Sequence, residues 1–278
     1  MKIGFVDSGA GGLLFAIDMI SCAQKNGNID ADFFHIGDKE NVPYGLKSPE
    51  KLKEITQNLI QEAINYGAQK IIVACNTACT VLDADMMGYF VKQNVEILGI
   101  KNTTSNFVFQ NIEQEDATLL ILATKRTVQS KMYKNSIEDL FAQHNRKINI
   151  IQHYPIEWEG AVENNFQDTN LKILVKSELE HIKDLMGDEK FSKITHVGLF
   201  CTHYPIFKKD IFEFMTKHSQ LSSVNNIFSQ GEAMSDLLKS ETSSEVEIKS
   251  FDKSRQSTPL PDCIYSYSKK NNIKINRI

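Results

Sequence analysis

Two cysteines occupy similar positions in the sequence, each directly after a short apolar run. The run Ile72–Ala74 leads into Cys75, and the run Gly198–Phe200 leads into Cys201. A thiol at the end of a strand, where a helix begins, lies near unpaired backbone amides and the positive end of the helix dipole, and both favour the thiolate. Two thiols in equivalent positions indicate two-base chemistry, in which one removes a proton from a carbon atom and the other delivers a proton to the opposite face.

The same residues are open to other interpretations. A cysteine in such a position is often an inert packing residue. His203 follows Cys201 closely in the sequence, so it can orient that thiol or act as a neighbouring acid–base. A Cys/His pair also occurs in hydrolases that transfer acyl groups, although that chemistry leaves Cys75 without a role. The spacing of Cys75 and Cys79 is compatible with a metal, but further ligands at zinc-site spacing are missing, so we expect no metal.

A glycine-rich segment, Asp7–Gly12, follows the first predicted strand. It is not a dinucleotide-binding fingerprint, because the GxGxxG spacing is absent, and it is not a P-loop, because no Gly-Lys-Ser/Thr follows. Two interpretations remain open. The segment binds an anion at the start of a helix, or it is a tight strand-to-helix turn that needs glycine.

The elements that must position these residues alternate between strands and helices. Nearly continuous apolar stretches are typical of parallel strands that helices cover on both faces. We predict strands at Lys2–Val6, Asp32–Ile36, Lys70–Ala74, Val95–Ile100, Thr118–Ala123, Lys147–His153, Thr195–Phe200 and Asn225–Ser229. This alternation predicts an α/β architecture with parallel sheets, in which ligands bind at the carboxyl ends of the strands.

Three helices carry the clearest signals. The first is predicted at Ser48–Tyr66, with Ser48 as its N-cap and Pro49 at its first position. Its apolar stripe consists of Leu52, Ile55, Leu59, Ile60, Ala63 and Ile64. The other two are predicted at Asn170–Met186 and Pro205–Thr216, and the polar segments 218–224 and 238–246 are expected to be surface loops.

Composition and charge exclude several classes of protein. The 278 residues are 41% apolar and 24% charged, as in an ordinary folded protein of one or two domains. A net charge of −4 gives no polybasic surface for nucleic acid or anionic membranes. The five cysteines fit no disulfide framework, and no signal peptide or apolar run of membrane-spanning length is visible. We therefore expect a cytoplasmic protein.

A weak internal repeat indicates two related halves. An apolar strand ends in a polar loop at Asp7 and again at Thr124, and in each half a later strand leads into one of the two cysteines. We predict an N-terminal α/β domain of residues 1–97, completed by residues 209–278, and a second α/β domain of residues 98–208.

Taken together, these motifs resemble those of the glutamate racemases, in the cofactor-independent aspartate/glutamate racemase superfamily. Each motif is weak alone, but their order and spacing over about the first 210 residues match the family. The matching segments are Phe5–Gly12, Asn41–Gly45, Ala74–Ala78 and Cys201–Pro205.

The resemblance implies two similar parallel-sheet α/β domains that face each other across a cleft, and no pyridoxal phosphate or metal. It implies that Cys75 and Cys201 are the two catalytic acid–bases. The implied substrate-binding residues are Asp7, Ser8, Tyr44, Gly45, Asn76, Thr77, Thr202 and His203. Asp7 and Ser8 would set the Cys75 side, and Tyr44 and Gly45 would hold a carboxylate through backbone amides. The expected partner is an amino-acid substrate, bound by a homodimer that contacts neither nucleic acid nor membrane.

Three features depart from the family pattern. Lys125 and Arg126 stand in a loop whose residues are usually small in the family, Phe200 precedes Cys201 where the family usually has glycine, and Glu163 matches a family glutamate only across a gap. Phe200 either crowds the pocket or belongs to the core. Arg126 either faces the cleft and holds a substrate carboxylate or, like Lys125, lies in solvent.

Several functions remain open at this stage. The leading hypothesis is interconversion of L- and D-glutamate, which would supply D-glutamate for bacterial cell-wall peptide. A racemase for aspartate or another amino acid would use the same two thiols. An isomerase or decarboxylase of a diacid is a further relative. A non-catalytic ligand-binding protein on the same fold is the alternative from a different class, but it would need no paired acid–bases.

Overall fold

A computed structural model describes residues 1–26, 31–164, 168–238, 246–252 and 260–277. Within these residues every strand pairing is parallel, and the strands form two sheets. In spatial order the first sheet contains β10 (Lys274–Arg277), β9 (Glu247–Asp252), β2 (Asp32–Gly37), β1 (Lys2–Asp7), β3 (Lys70–Val73) and β4 (Glu96–Gly99). The second contains β6 (Asn149–His153), β5 (Thr118–Ala123), β7 (His196–Phe200) and β8 (Ile227–Ser229). The predicted parallel α/β architecture is confirmed.

All of the predicted strands are present, and two more occur near the end of the chain. Strands β9 and β10 escape prediction because their few apolar residues stand singly among polar ones instead of forming an apolar run. In β9, Ile248 and Ser250 are buried while Lys249 between them is exposed. Strand β10 lies at the edge of its sheet, where both faces need less apolar cover.

The sheets show where the chain crosses between its two halves. Strand β8 pairs with β7 in the second sheet, and the chain returns to the first sheet only with β9. The return therefore lies after Ser229, later than the boundary at residues 208 and 209 that the sequence favours. The division into domains remains a prediction.

Thirteen helices accompany the strands in the described part of the chain. They are α1 (Gly11–Asn26), α2 (Pro49–Asn65), α3 (Asn76–Cys79), α4 (Ala84–Val91), α5 (Ile100–Asn111), α6 (Lys125–Ser130), α7 (Met132–Gln143), α8 (Trp158–Glu163), α9 (Asp168–Met186), α10 (Asp188–Ser192), α11 (Lys208–His218), α12 (Gln230–Met234) and α13 (Asp262–Lys270). Short 3-10 turns occupy Tyr44–Leu46, Tyr204–Phe207, Val224–Asn226 and Ser235–Leu238. None of the helices described is both long and apolar enough to cross a membrane.

The three predicted helices are present. The side chain of Ser48 accepts a hydrogen bond from the Lys51 amide at 3.2 Å, and the apolar stripe of α2 is buried apart from the half-buried Ile64. The third helix begins differently, because Pro205 lies in a 3-10 turn and the α-helix starts at Lys208. Residues 219–223 form a loop as predicted, whereas residues 239–245 of the second predicted loop lie outside the described residues.

Helix α1 joins the two halves into one core. Its side chains from Leu13 to Ile20 are buried, and the same hydrophobic cluster contains Phe5 of the first sheet and Leu199 of the second. Helix α1 packs directly on α12, which follows the last strand of the second sheet. The helix that begins at the glycine-rich segment is therefore wedged between the halves that carry the two cysteines.

The contact between α1 and α12 depends on Gly231. A Cβ atom at Gly231 would lie 2.5 Å from the Asp18 carboxylate and 2.6 Å from the backbone nitrogen of Met19. Because one neighbour is backbone, the helices would have to separate. We expect Gly231→Ala to lower the free energy of unfolding by about 3 kcal/mol, as overpacked core substitutions do, which denaturant titration will measure.

Gly88→Ala is the matched control. Gly88 lies in the exposed face of α4, and nothing lies within 4 Å of its Cβ position. There alanine removes only the conformational freedom of glycine, so the protein should gain about 0.5–1 kcal/mol. Equal effects of the two substitutions would contradict the close approach of α1 and α12.

Candidate active site

A cavity of about 520 Å³ lies where the carboxyl ends of the two sheets face each other. Nine of the ten predicted site residues line it: Ser8, Tyr44, Gly45, Cys75, Asn76, Thr77, Cys201, Thr202 and His203. Thr124, Lys125, Arg126 and Glu159 line it as well. A larger cavity of about 830 Å³, against α1, α11 and α13, contains none of the predicted residues. The structure thus brings two distant cysteine motifs to one cavity.

The first wall is built around Cys75. Cys75 follows β3 and caps α3, with its sulfur accepting from the Ala78 amide at 3.5 Å and donating to Ser8 Oγ at 3.6 Å. Burial raises the pKa of the Cys75 thiol well above its ordinary value, and Asp7 raises it further, against the lowering effect of these hydrogen bonds. The amide at the helix start favours the thiolate, as the sequence predicts, but burial outweighs this effect.

The opposite wall is built around Cys201, which follows β7. Its sulfur lies 3.6 Å from Nδ1 of His203, and Nε2 of His203 donates to Glu163 Oε1 at 2.8 Å. No helix begins directly at Cys201, since a 3-10 turn follows from Tyr204. Burial raises the pKa of Cys201, while the hydrogen bond from His203 and its charge lower it. The two cysteines therefore have different supports.

The charge of His203 is fixed by its two neighbours. Burial of the imidazole opposes a positive charge, but the hydrogen bonds to Cys201 and Glu163 outweigh burial and raise its pKa well above the ordinary value. Burial also acts against the Glu163 carboxylate, yet the hydrogen bond and charge of His203 lower its pKa to about 2. An imidazolium therefore donates from both ring nitrogens, one toward each partner.

Glu163 also links the two halves of the molecule. Its Oε1 atom accepts a hydrogen bond from the Ala10 amide at 2.7 Å, in the glycine-rich segment. A Cβ atom at Gly11 would overlap Thr202 and His203. Gly9 and Gly11 are thus required by the close approach of the opposite wall and Gly12 by Asp7 and His35, which favours the turn interpretation over an anion site.

Asp7 lies behind the cavity instead of lining it. The side chain is fully buried, and Oδ2 accepts from the Gly9 and Gly12 amides at 3.1 and 3.0 Å. Its Oδ1 atom has no hydrogen-bond partner among the described residues. Burial raises the pKa of Asp7 to about 6, although His203 and the two amides lower it. Contact between Asp7 and a substrate stays a prediction.

Two sets of supporting residues escape sequence analysis. Asp38 is buried and directly follows β2. Its carboxylate accepts hydrogen bonds from Tyr44 Oη at 2.8 Å and from the side-chain amide of Asn41, and these bonds hold the 3-10 turn Tyr44–Leu46. Asn76 Oδ1 accepts from Tyr133 Oη at 2.5 Å and from Gln230 Nε2 at 3.0 Å. The signal that could have predicted Asp38 is its position as a carboxylate directly after a predicted strand. The residues hydrogen-bonded to Asn76 are too far apart in sequence for any such signal to link them.

The departures from the family pattern are resolved by their contacts. Phe200 is fully buried and packs against the ring of Tyr133 at 4.5 Å between centroids, so it belongs to the core. Lys125 is exposed. Arg126 lines the cavity, but its Nη1 atom donates to the backbone oxygens of Gly45 and Lys47. Within the described residues, no group of three or more His, Cys, Asp and Glu could hold a metal ion.

Known proteins are similar to this chain in sequence. Over 218 residues, 76% of this chain and 73% of the relative, the sequence is 28% identical to a glutamate racemase of Clostridium perfringens strain SM101. The resemblance to the glutamate racemases is confirmed. No model of a known protein family matches the chain.

Solved structures agree on the fold. A crystal structure of the glutamate racemase isoform RacE1 from Bacillus anthracis superimposes with a TM-score of 0.70 and 20% identity, over 100% of this chain and 97% of the other. That of glutamate racemase from Francisella tularensis, in complex with D-glutamate, gives a TM-score of 0.65 and 21% identity over 99% and 95%. The two facing α/β units are thus a fold that glutamate racemases share.

The ion pair of Glu163 predicts a pH dependence of stability. Because the pKa of Glu163 falls from 4.5 to about 2 on folding, its contribution is complete above pH 4.5 and disappears as the pH falls toward 2. A shift of this size corresponds to about 3 kcal/mol. We therefore expect Glu163→Gln to lower the free energy of unfolding by that amount near neutral pH, with the difference from the unaltered protein shrinking below pH 4.5.

Denaturant titrations at several pH values will measure this difference. Glu189→Gln is the control, because Glu189 pairs with Lys193 on the open surface and should show no resolvable pH-dependent difference. A Glu163→Gln effect that is equally large at pH 3 and pH 7 would mean that the carboxylate charge is not what stabilises His203.

Proposed function

We propose that this protein is a glutamate racemase that interconverts L- and D-glutamate by proton transfer at Cα. The observation that carries the proposal is that Cys75 and Cys201, from separate sheets, line the same cavity. The sequence similarity to glutamate racemases supports the choice of substrate. In a bacterial cell such a reaction would supply D-glutamate for cell-wall peptide. A cytoplasmic location and a homodimer stay predictions.

The proposed reaction needs one thiolate and one thiol. The thiolate of one cysteine takes the Cα proton, and the electron pair of the broken C–H bond stays on Cα. The thiol of the other cysteine then delivers its proton to the opposite face of Cα. The product has inverted configuration, and the two cysteines have exchanged protonation states. The reverse reaction begins from that exchanged state, so each direction uses both residues.

The surroundings of the two sulfurs support a starting assignment. Cys201 lies against the imidazolium of His203, which stabilises a thiolate, whereas Asp7 disfavours a thiolate at Cys75. We infer that Cys201 loses its proton more readily than Cys75, which stays a thiol when the site is empty. The α-ammonium group of a bound amino acid brings a further positive charge into the cavity, and this lowers the pKa of both thiols.

The other predicted site residues supply the contacts that an amino acid needs. The hydroxyls of Ser8, Thr77 and Thr202 and the side-chain amide of Asn76 would hold the α-carboxylate and the ammonium group. The backbone amides of Tyr44 and Gly45 would hold a carboxylate at the outer end of the cavity. Fixed donors of this kind stabilise the charge that develops in the transition state without reorganisation.

Deuterium exchange tests the function and its main alternatives together. Protein dialysed against EDTA is incubated in D2O with one L-amino acid at a time, and Cα deuterium and chirality are followed by NMR and chiral chromatography. Deuterium in glutamate, with formation of D-glutamate, is the expected result. Deuterium exchange into aspartate or another amino acid alone would mean that this amino acid, and not glutamate, is the substrate. Absence of exchange in all of them would overturn the racemase proposal and favour a binding protein.

The two-base mechanism predicts the behaviour of single cysteine variants. We expect Cys75→Ser and Cys201→Ser each to lower racemisation by several powers of ten, because a weakly acidic hydroxyl replaces the thiol and each tenfold loss is about 1.4 kcal/mol of barrier. The remaining thiol can still reach one face of Cα. Any residual deuterium exchange should therefore be confined to one enantiomer, and to opposite enantiomers in the two variants.

Cys22→Ser is the matched control. Cys22 lines the larger cavity and should leave the rate unchanged. Near-normal racemisation by either Cys75→Ser or Cys201→Ser, in a variant with unaltered unfolding, would exclude the two-base mechanism for this protein.

A further inference from the structure

We propose that Arg126 is a positioning residue, which holds the carboxylate-binding turn Tyr44–Leu46 in place from the opposite side of the cavity. Its Nη1 atom donates to the backbone oxygen of Lys47 at 2.9 Å and to that of Gly45 at 3.3 Å. The inference rests on the proposed function for the role of the turn, but the contacts themselves are independent of it.

Arg126 reaches this turn because of where the chain places it. It lies at the start of α6, directly after the carboxyl end of β5 in the second sheet. The turn follows β2 in the first sheet, on the other wall of the cavity. The guanidinium group therefore spans the mouth of the cavity and joins the two walls.

Among the described residues, few other contacts hold the outer end of this turn. Its inner end is fixed by the buried Tyr44, whose hydroxyl donates to Asp38. Gly45 and Leu46 are exposed, and Leu46 retains 84% of its accessible surface, so packing does not fix them. Within the turn, the Lys47 amide donates to the Tyr44 oxygen at 3.1 Å. A charged donor that binds two of the outward carbonyl groups restricts the remaining freedom.

The contacts favour positioning over direct substrate binding. Nη1 of Arg126 is bonded to main-chain oxygens of the facing wall, so gripping a carboxylate with both terminal nitrogens would break these bonds. The space beside Gly45 stays open, because a Cβ atom there would meet only Cβ of Arg126, at 4.0 Å. Arg126 thus braces the turn and leaves room for a ligand against its amides.

Bracing of this kind affects binding more than chemistry. Loosening the turn weakens the binding of the ground state and of the transition state equally. The reason is that the turn amides would hold a substrate carboxylate that takes no part in the proton transfer. Loss of such uniform binding raises KM and leaves kcat unchanged. We expect Arg126→Ala to raise KM for glutamate about tenfold, the effect of losing partly exposed hydrogen bonds from a charged donor, with kcat within about twofold.

Amide hydrogen exchange of the substrate-free protein tests the brace, meaning the two hydrogen bonds from Arg126 to the turn, and this test does not depend on activity. Arg126→Ala should increase the exchange rate of the Leu46 and Lys47 amides about tenfold, as expected when a local opening becomes easier. Arg126→Lys keeps the charge but presents a single donor group, so it should restore only part of the protection. Lys125→Ala removes the same charge from a neighbouring residue of the cavity that makes no hydrogen bond to the turn, so it should leave the exchange of the turn amides unchanged and raise KM less than Arg126→Ala does.

The outcomes separate the possible failures. Unchanged exchange at residues 44–47 in Arg126→Ala would overturn the brace, whatever the enzyme does. Equal rises in KM for Arg126→Ala and Lys125→Ala would reduce the effect to general attraction of an anion and would also overturn it. Faster exchange in Arg126→Ala together with no racemisation by the unaltered protein would uphold the brace and reject the proposed function.

Discussion

The ion pair between His203 and Glu163 is the interaction on which the rest of the site depends. His203 is buried and Glu163 is partly buried between the two walls, and burial alone would drive both groups toward their neutral forms. Each keeps its charge because the other is within hydrogen-bond distance, at 2.8 Å. The pair holds a positive charge beside Cys201. Glu163 also accepts a hydrogen bond from the backbone amide of Ala10, which lies in the opposite half. Glu163 therefore sets the charge of the site through His203 and joins its two walls through Ala10.

The two walls are similar in backbone but different in electrostatics. Both cysteines follow a central strand of a parallel sheet, and both are buried. A neighbouring imidazolium faces one sulfur, and a hydroxyl and a helix turn face the other, with a carboxylate behind them. A reaction that inverts a carbon centre needs two bases on opposite faces, in unlike protonation states. In the proposed mechanism, repetition of the fold would supply the two faces, and the unlike neighbours would make one thiol easier to deprotonate than the other.

Polar contacts outside the cavity connect its parts. Asn76, next to Cys75, shares its amide with Gln230 of α12 and with the Tyr133 hydroxyl, both from the second half of the molecule. Phe200, next to Cys201, packs on the same Tyr133 ring. The residues beside both thiols thus meet at one buried tyrosine. A displacement of either wall would disturb this satisfied network, and satisfied buried networks resist displacement.

The sequence by itself determined the architecture and the chemical groups of this protein. Apolar runs of strand length, the Ser48-Pro49 helix start and the two cysteine motifs are local signals, and local signals report propensity, burial and capping directly. The same signals failed for β9, whose isolated apolar residues form no apolar run, and for the start of α11, where a 3-10 turn precedes the helix. They also do not state which sheet β8 joins, and β8 pairs with β7 in the second sheet.

Only the tertiary structure decided how those groups act. The pKa of Cys75 depends on its burial and on Asp7, the charge of His203 on Glu163, and the orientation of Arg126 on the carbonyl groups of Gly45 and Lys47. Each of these partners is distant in sequence or is a backbone atom that every residue type provides. Solvation and Coulomb energies depend on distances in space, so a sequence names the ionisable groups while folding sets their charges.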